Sequence, residues 1–276
     1  MRALAAIAVL ASTTAYADPA RAWAAAQANL PASTRVVLGA NVEVAMGSSL
    51  AIFAAPMLQA LGAKAAFDRI ATTCKIDPAK SIDGFVLVEG AKSDIGAIYL
   101  ALDGVDDRAL GECMTKLELD KKVVTAWLGK DVLVIPTKPD DKAMLALFTS
   151  GKSAFATTAL GKLAAKTNTS ATIWAASVKS RSVQSKTMKS GYGGFVLEKG
   201  TLAATIAMTF GSAAEAKTVA KLANDQIVEL LASGQLDAIV MEMLNKVVIE
   251  TKAAEVLIRG SIPDAQLLPL IQAMTN

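Results

Sequence analysis

Apolar residues along this chain recur with a period of two in some segments and near 3.6 in others, and the switch between them follows the same order twice. Runs such as Arg35–Val42 (RVVLGANV) and Gly84–Gly90 (GFVLVEG) read as strands. Ile95 to Leu102 pairs back onto the second run through a turn at Gly90, and Thr201 to Phe210 pairs back onto Gly194–Gly200 (GFVLEKG) through Lys199-Gly200. Helical spacing follows each hairpin, over Asp106–Leu119 and over Ala213–Leu231, with Ser212 expected as the N-cap. A second hairpin comes next in each case, then a short helix opened by Pro139-Asp140-Asp141 or by Pro263-Asp264.

Three pairs of segments mark the correspondence: RVVLGANV with ATIWAASV at Ala171–Val178, GFVLVEG with GFVLEKG, and KVVTAWLGKDVLVIPT from Lys122 with KVVIETKAAEVLIRGSI from Lys246. The expected fold is therefore α+β, two tandem β-α-ββ-α-ββ-α repeats with mainly antiparallel sheets and helices packed on a face. The repeats are expected at 18–150 and 151–276, divided near Ser150-Gly151-Lys152-Ser153. Between its first strand and hairpin the first repeat should carry helical stretches from Gly47 to Lys75, where the second has only a basic segment, Lys179–Ser190. Alternation in the Thr201 strand assigns Leu202, Ala204, Ile206, Met208 and Phe210 to a core face. The opposite face, with Thr201, Thr205 and Thr209, should meet a closely packed helix or line a cavity.

Residues 1–17 stand apart from this pattern. Arg2, the apolar run Ala3–Ala11 and the small-residue end Ala15-Tyr16-Ala17 read as a secretory signal peptide cut after Ala17. The run is about nine residues, against roughly twenty for a membrane-spanning helix, and no later stretch comes close. A periplasmic or secreted, soluble mature chain is expected, with no transmembrane segment. Its two cysteines, Cys74 and Cys113, should then be joined in a disulfide.

Composition narrows the chemistry. Histidine is absent, which removes the commonest general base and the commonest transition-metal ligand. With 53% hydrophobic but only 5% aromatic residues, the core must be built from small and aliphatic side chains. The net charge of +3 argues for no class of partner, but its distribution is uneven. From Asp68 to Asp120 there are eleven acidic and six basic side chains; from Gly151 to Gly200 there are eight basic and one acid, Glu198. Complementarity between neighbouring parts of the chain is the simplest account of that contrast.

Familiar motifs fail on inspection. Gly151-Lys152-Ser153 lacks the earlier glycine of a phosphate loop, and Gly191-Tyr192-Gly193-Gly194 lacks the third glycine and the following helix of a dinucleotide fingerprint, so it is read as a flexible run opening a strand. Asp103, Asp106 and Asp107 suit helix capping better than a calcium loop. No metal site, cofactor or catalytic residue is assigned, and an enzyme using carboxylates or lysines alone is the least favoured reading.

What remains are binding candidates. Lys179, Arg181, Lys186 and Lys189 form a basic stretch suited to an anionic lipid, a glycan or a protein partner, and nucleic acid is not expected. Thr205, Met241 and Met243 are candidates for contact with an apolar ligand. The leading functional expectation is a non-enzymatic binding or interaction module; the alternative is a carrier of lipid or another apolar molecule.

Taken together, the leader, LPASTRVVLGANV, CKIDPAKSIDGFVLV and the helix segment GECMTKL resemble uncharacterised exported proteins of Gram-negative bacteria of the myxobacterial type. The resemblance spans most of the mature chain and supports the repeat reading. It implies no activity.

Overall fold

A computed structural model describes residues 20–51, 63–92, 94–234 and 236–275. The expected leader, Met1–Ala17, and part of the Gly47–Lys75 helical region lie outside them. The first described element, α1 (Ala20–Asn29), is not anticipated by the periodicity reading; its alanine-rich sequence favours helix, and Ala22, Trp23 and Ala26 bury one side of it. After α1 come β1 (Val36–Asn41), α2 (Val42–Met46), α3 (Ala63–Cys74) and α4 (Pro78–Ser81). The hairpin β2 (Ile82–Glu89) and β3 (Gly96–Leu102) follows, then α5 (Asp107–Lys116), the hairpin β4 (Ala126–Leu128) and β5 (Val132–Pro136), and α6 (Lys142–Leu147).

A 3-10 turn (Phe155–Thr157) and α7 (Ala159–Ala164) lead into β6 (Ile173–Ser177), a small hairpin of β7 (Arg181–Val183) and β8 (Lys186–Met188), and a large one of β9 (Ser190–Glu198) and β10 (Thr201–Thr209). The chain continues through α8 (Ala213–Ala232), α9 (Ala238–Asn245), β11 (Val248–Lys252), β12 (Glu255–Pro263) and α10 (Asp264–Thr275). The caps follow the sequence: Asp106 accepts from the Ala109 N–H, Asp141 from Met144 and Ser212 from Glu215, each filling a donor left open at a helix start.

Among the described residues all pairings are antiparallel, and ten strands form one sheet in the order β11-β12-β10-β9-β6-β1-β2-β3-β5-β4. The class is thus α+β with a mainly antiparallel sheet. β1 and β6 meet at its centre, Val36 opposite Ser177 and Ala40 opposite Ile173, and from that seam the strands are laid out in the same succession in both directions.

Register decides which side chains share a face. On one face, here the α1 face, Val37, Val86, Val88, Tyr99, Val134, Trp174 and Ala176 pack under α1, α6 and α7. Trp174 meets Trp23 edge to face at 4.8 Å between ring centroids, and Trp23 meets Phe155 at 5.7 Å. Room for the Trp174 ring comes from Gly39 opposite it: a Cβ there would lie 2.3 Å from Trp174 Cε2. Tyr99 is wholly buried beneath the same helices, and its hydroxyl donates to the Phe148 carbonyl at 2.7 Å.

The other face, the α8 face, is covered in separate patches. At one end Leu102 and Leu133 pack with Leu110 of α5 and Ile76, which follows α3. Cys74 at the end of α3 and Cys113 of α5 are joined in a disulfide with Cα atoms 5.1 Å apart. At the opposite end, Phe210 and Val256 pack under Ala216, Val219 and Ala220 of α8, while Leu202 and Ile262 pack with Val240 of α9 and Leu267 of α10. Although the strand order is shared, the last helices of the two halves differ: α6 lies on the α1 face and α10 on the α8 face.

Two expectations change. Lys179–Ser190, expected only as a basic segment without an element of its own, contains the β7–β8 hairpin, whose Gln184 and Ser185 both take positive φ, as a tight two-residue turn requires. Val183 and Met188 explain its order, because both pack against the cluster under α8. The Thr201 strand is core only toward its ends: Leu202 and Phe210 are buried, but Ile206 between them is 40% exposed. Its threonine face is divided: Thr201, Ala203 and Thr205 are exposed, whereas Ala207 is fully buried and Thr209 half-buried.

Candidate binding site

Between the covered patches of the α8 face lies an open apolar trough of about 440 Å³, within the range of roughly 300–1,000 Å³ usual for small-molecule sites. It crosses the middle of the sheet, over β1, β6, β9 and β10. Leu38, Ile173, Ala175, Phe195, Ile206 and Met208 line it, and the β7–β8 hairpin rims one end with Arg181 and Met188. Phe195 is 36% exposed and Leu87, next to Leu38 in the neighbouring strand, is equally so. Large apolar side chains sharing a concave exposed surface mark an interaction site more often than scattered ones do.

Side-chain size explains why a hollow exists. On this face β6 presents Ala175 and Ser177, and β9 presents Gly191 and Gly193 opposite them. Gly193 admits no larger residue, because its Cβ would stand 2.2 Å from the Thr205 carbonyl oxygen. Gly191-Tyr192-Gly193-Gly194 is therefore not a flexible opening but part of a paired strand, with two glycines as a floor bare of side chains. The signal was present in the spacing, since residues 191 and 193 must share a face once the segment is read as a strand.

The basic candidates divide. Arg181 and Met188, directly opposite each other in the hairpin, both reach the trough. Lys179 Nζ instead pairs with Glu89 Oε1 at 2.5 Å, beside the end of the trough marked by Val36 and Ser177. This pair links the basic segment of the chain to the acidic one, the complementarity that their charge contrast predicts. Lys186 is half-buried and Lys189 exposed, and neither lines the trough. Thr205 lies on the opposite face of the sheet and is exposed. Met243 packs among Val240 and Leu267, and Met241 is half-buried on the same helix; neither lines the trough.

Titratable groups gather on another part of the molecule. Arg21 of α1 bonds the carboxylates of Asp83 and Asp131. Burial raises the Asp83 pKa above its ordinary 3.8; the Arg21 charge opposes this, and Asp103 and Glu43 reinforce it. Among the described residues no carboxylate or lysine lines the trough. Among the described residues no cluster of three or more candidate ligands could hold a metal ion, and no helix is long and apolar enough to cross a membrane.

No family model matches the sequence, and no curated protein matches it. Solved structures of TP0453 in its crystal forms III and I are similar, with TM-scores of 0.46 and 0.45 at 10% and 9% identity. The matches cover 93% and 89% of this chain and 98% and 96% of those chains. Similarity at this level leaves the function to be argued from the residues of the chain itself.

Proposed function

We propose that this protein is an exported, non-enzymatic binding module that holds an elongated apolar ligand in the central trough. The observation that carries this reading is the trough itself: a concave surface lined by Leu38, Ile173, Phe195, Ile206 and Met208 over a glycine floor, open between the covered patches of that face. Leaving such surface in water is costly, at about 25 cal/mol per Å² of apolar area, and a bound apolar molecule would remove that cost. Export is supported by the leader-like residues 1–17 and by the disulfide, a bond that persists in oxidising compartments. The shared succession of strands on either side of β1 and β6 supports descent from a duplicated unit, with the copies having diverged in the face their last helix covers.

Ala175 provides the test, because its side chain stands on the trough floor with open space above it. N-phenylnaphthylamine, a neutral fluorescent apolar probe, should bind the wild-type protein saturably. Ala175→Leu should fill the floor and weaken that binding by roughly tenfold, with the melting temperature unchanged. Absence of saturable binding, or equal binding by the variant, would overturn the proposal.

A further inference from the structure

We infer that the ligand of the trough is a single-chain amphiphile with an anionic head, its chain lying on the glycine floor and its head meeting Arg181. The inference rests on the proposed apolar-binding role and adds the class of ligand. Its first support is the distribution of polarity. Of the side chains lining the trough, Arg181 alone carries a charge, and it stands at one end, on the hairpin. The trough is thus apolar along its length and cationic at one rim, the pattern of an amphiphile with a negative end.

The second support is that Arg181 has no other employment. It is exposed and makes no salt bridge or side-chain hydrogen bond among the described residues, whereas nearby Lys179 is held by Glu89. No acid other than Glu198 occurs between Gly151 and Gly200, so the hairpin brings no carboxylate of its own to compete for the guanidinium. Arginine is also suited to the task, since its planar fork donates two parallel hydrogen bonds to one carboxylate.

The third support is that the position of Arg181 is fixed. A two-residue turn closes the hairpin, and Val183 and Met188 anchor it under α8. The Gln184 side-chain amide donates to Gln226 Oε1 on α8 at 3.1 Å. A charge held on a packed hairpin loses less entropy on meeting a ligand than one on a free loop. From Ser177 to Ile173 the floor runs four residues of strand, about 13 Å, and with the modest volume this suits one chain of medium length rather than the paired chains of a membrane phospholipid.

The test is displacement of N-phenylnaphthylamine by laurate and by dodecanol, which share a chain and differ in head. Laurate should displace the probe from the wild-type protein at a concentration roughly tenfold lower than dodecanol, the effect of one charge-assisted hydrogen-bonded contact. Arg181→Gln should bring the ratio to about one, and Arg181→Lys, which keeps the charge, should retain part of the preference. Equal displacement by both compounds, or a preference that survives in Arg181→Gln, would overturn the assignment of the head while leaving the trough as an apolar site. Failure of both compounds to displace bound probe would overturn the assignment of a single chain. More effective displacement by phosphatidylglycerol vesicles would do the same.

Discussion

At the centre of the sheet the same two strands, β6 and β9, are closed on one face and open on the other. On the α1 face the Trp174 indole lies against Trp23 of α1, and Gly39 of β1 opposite it leaves the space the ring needs. One residue along, on the α8 face, Ala175 stands opposite Gly193 and, among the described residues, no side chain fills the volume above them. Backbone geometry is common to both faces, so the difference is made by side-chain size at alternate positions. A binding surface here needs no special loop; it needs a strand that is bulky at one set of positions and bare at the next.

Truncation on the closed face should have the largest effect. Trp174→Ala should cost about 3–5 kcal/mol in denaturant unfolding, because it removes a buried aromatic from a cluster of three rings and leaves a cavity. Ile206→Ala in the trough should cost less than about 1 kcal/mol, since Ile206 is already 40% exposed to water. Similar losses at the two positions would show that the trough is packed as tightly as the opposite face, and the contrast between the faces would fail.

A smaller loss tests the covered end of the α8 face. Replacing Cys74 and Cys113 together with serine opens a link between residues 39 apart in sequence, which the chain-entropy account values at about 4 kcal/mol, within a typical range of about 2–4. Probe binding by the still-folded variant should be unchanged, because the disulfide helices cover β3 and β5 and line none of the trough. A variant that folds and yet loses probe binding would show that the two regions of this face are coupled.

The elements of the chain were easier to read than the surface they create. Helix starts at Asp106, Asp141 and Ser212 are local chemistry, a side-chain oxygen meeting a nearby N–H, and the sequence states them directly. The hairpins and the Cys74–Cys113 bond follow from alternation and cysteine count. The trough depends on β1 pairing with β6, a contact between distant segments that no local pattern specifies. Alternation points to Thr205 and residue type to Met241 and Met243, but register puts Thr205 on the far face, and α9 carries the two methionines outside the trough. Arg181 was legible as a cation but not as a rim residue, because the packing of Val183 and Met188 that makes its segment a hairpin is tertiary.

The smallest expected effect concerns charge on the closed face. Burial holds the Asp83 pKa above its ordinary 3.8, with Arg21 opposing and Asp103 and Glu43 adding to the shift. A raised carboxyl pKa means that the folded state binds the proton more tightly than the unfolded one. The contribution of Asp83 to stability therefore falls as pH rises from 3.8 through the raised folded value. Asp83→Asn removes this dependence, so the stability of wild type minus that of the variant should decline with rising pH across that window, measured by urea unfolding at a series of pH values. A difference that grows instead would show that the Arg21 charge outweighs burial, and that this polar contact under α1 is a net attraction at neutral pH.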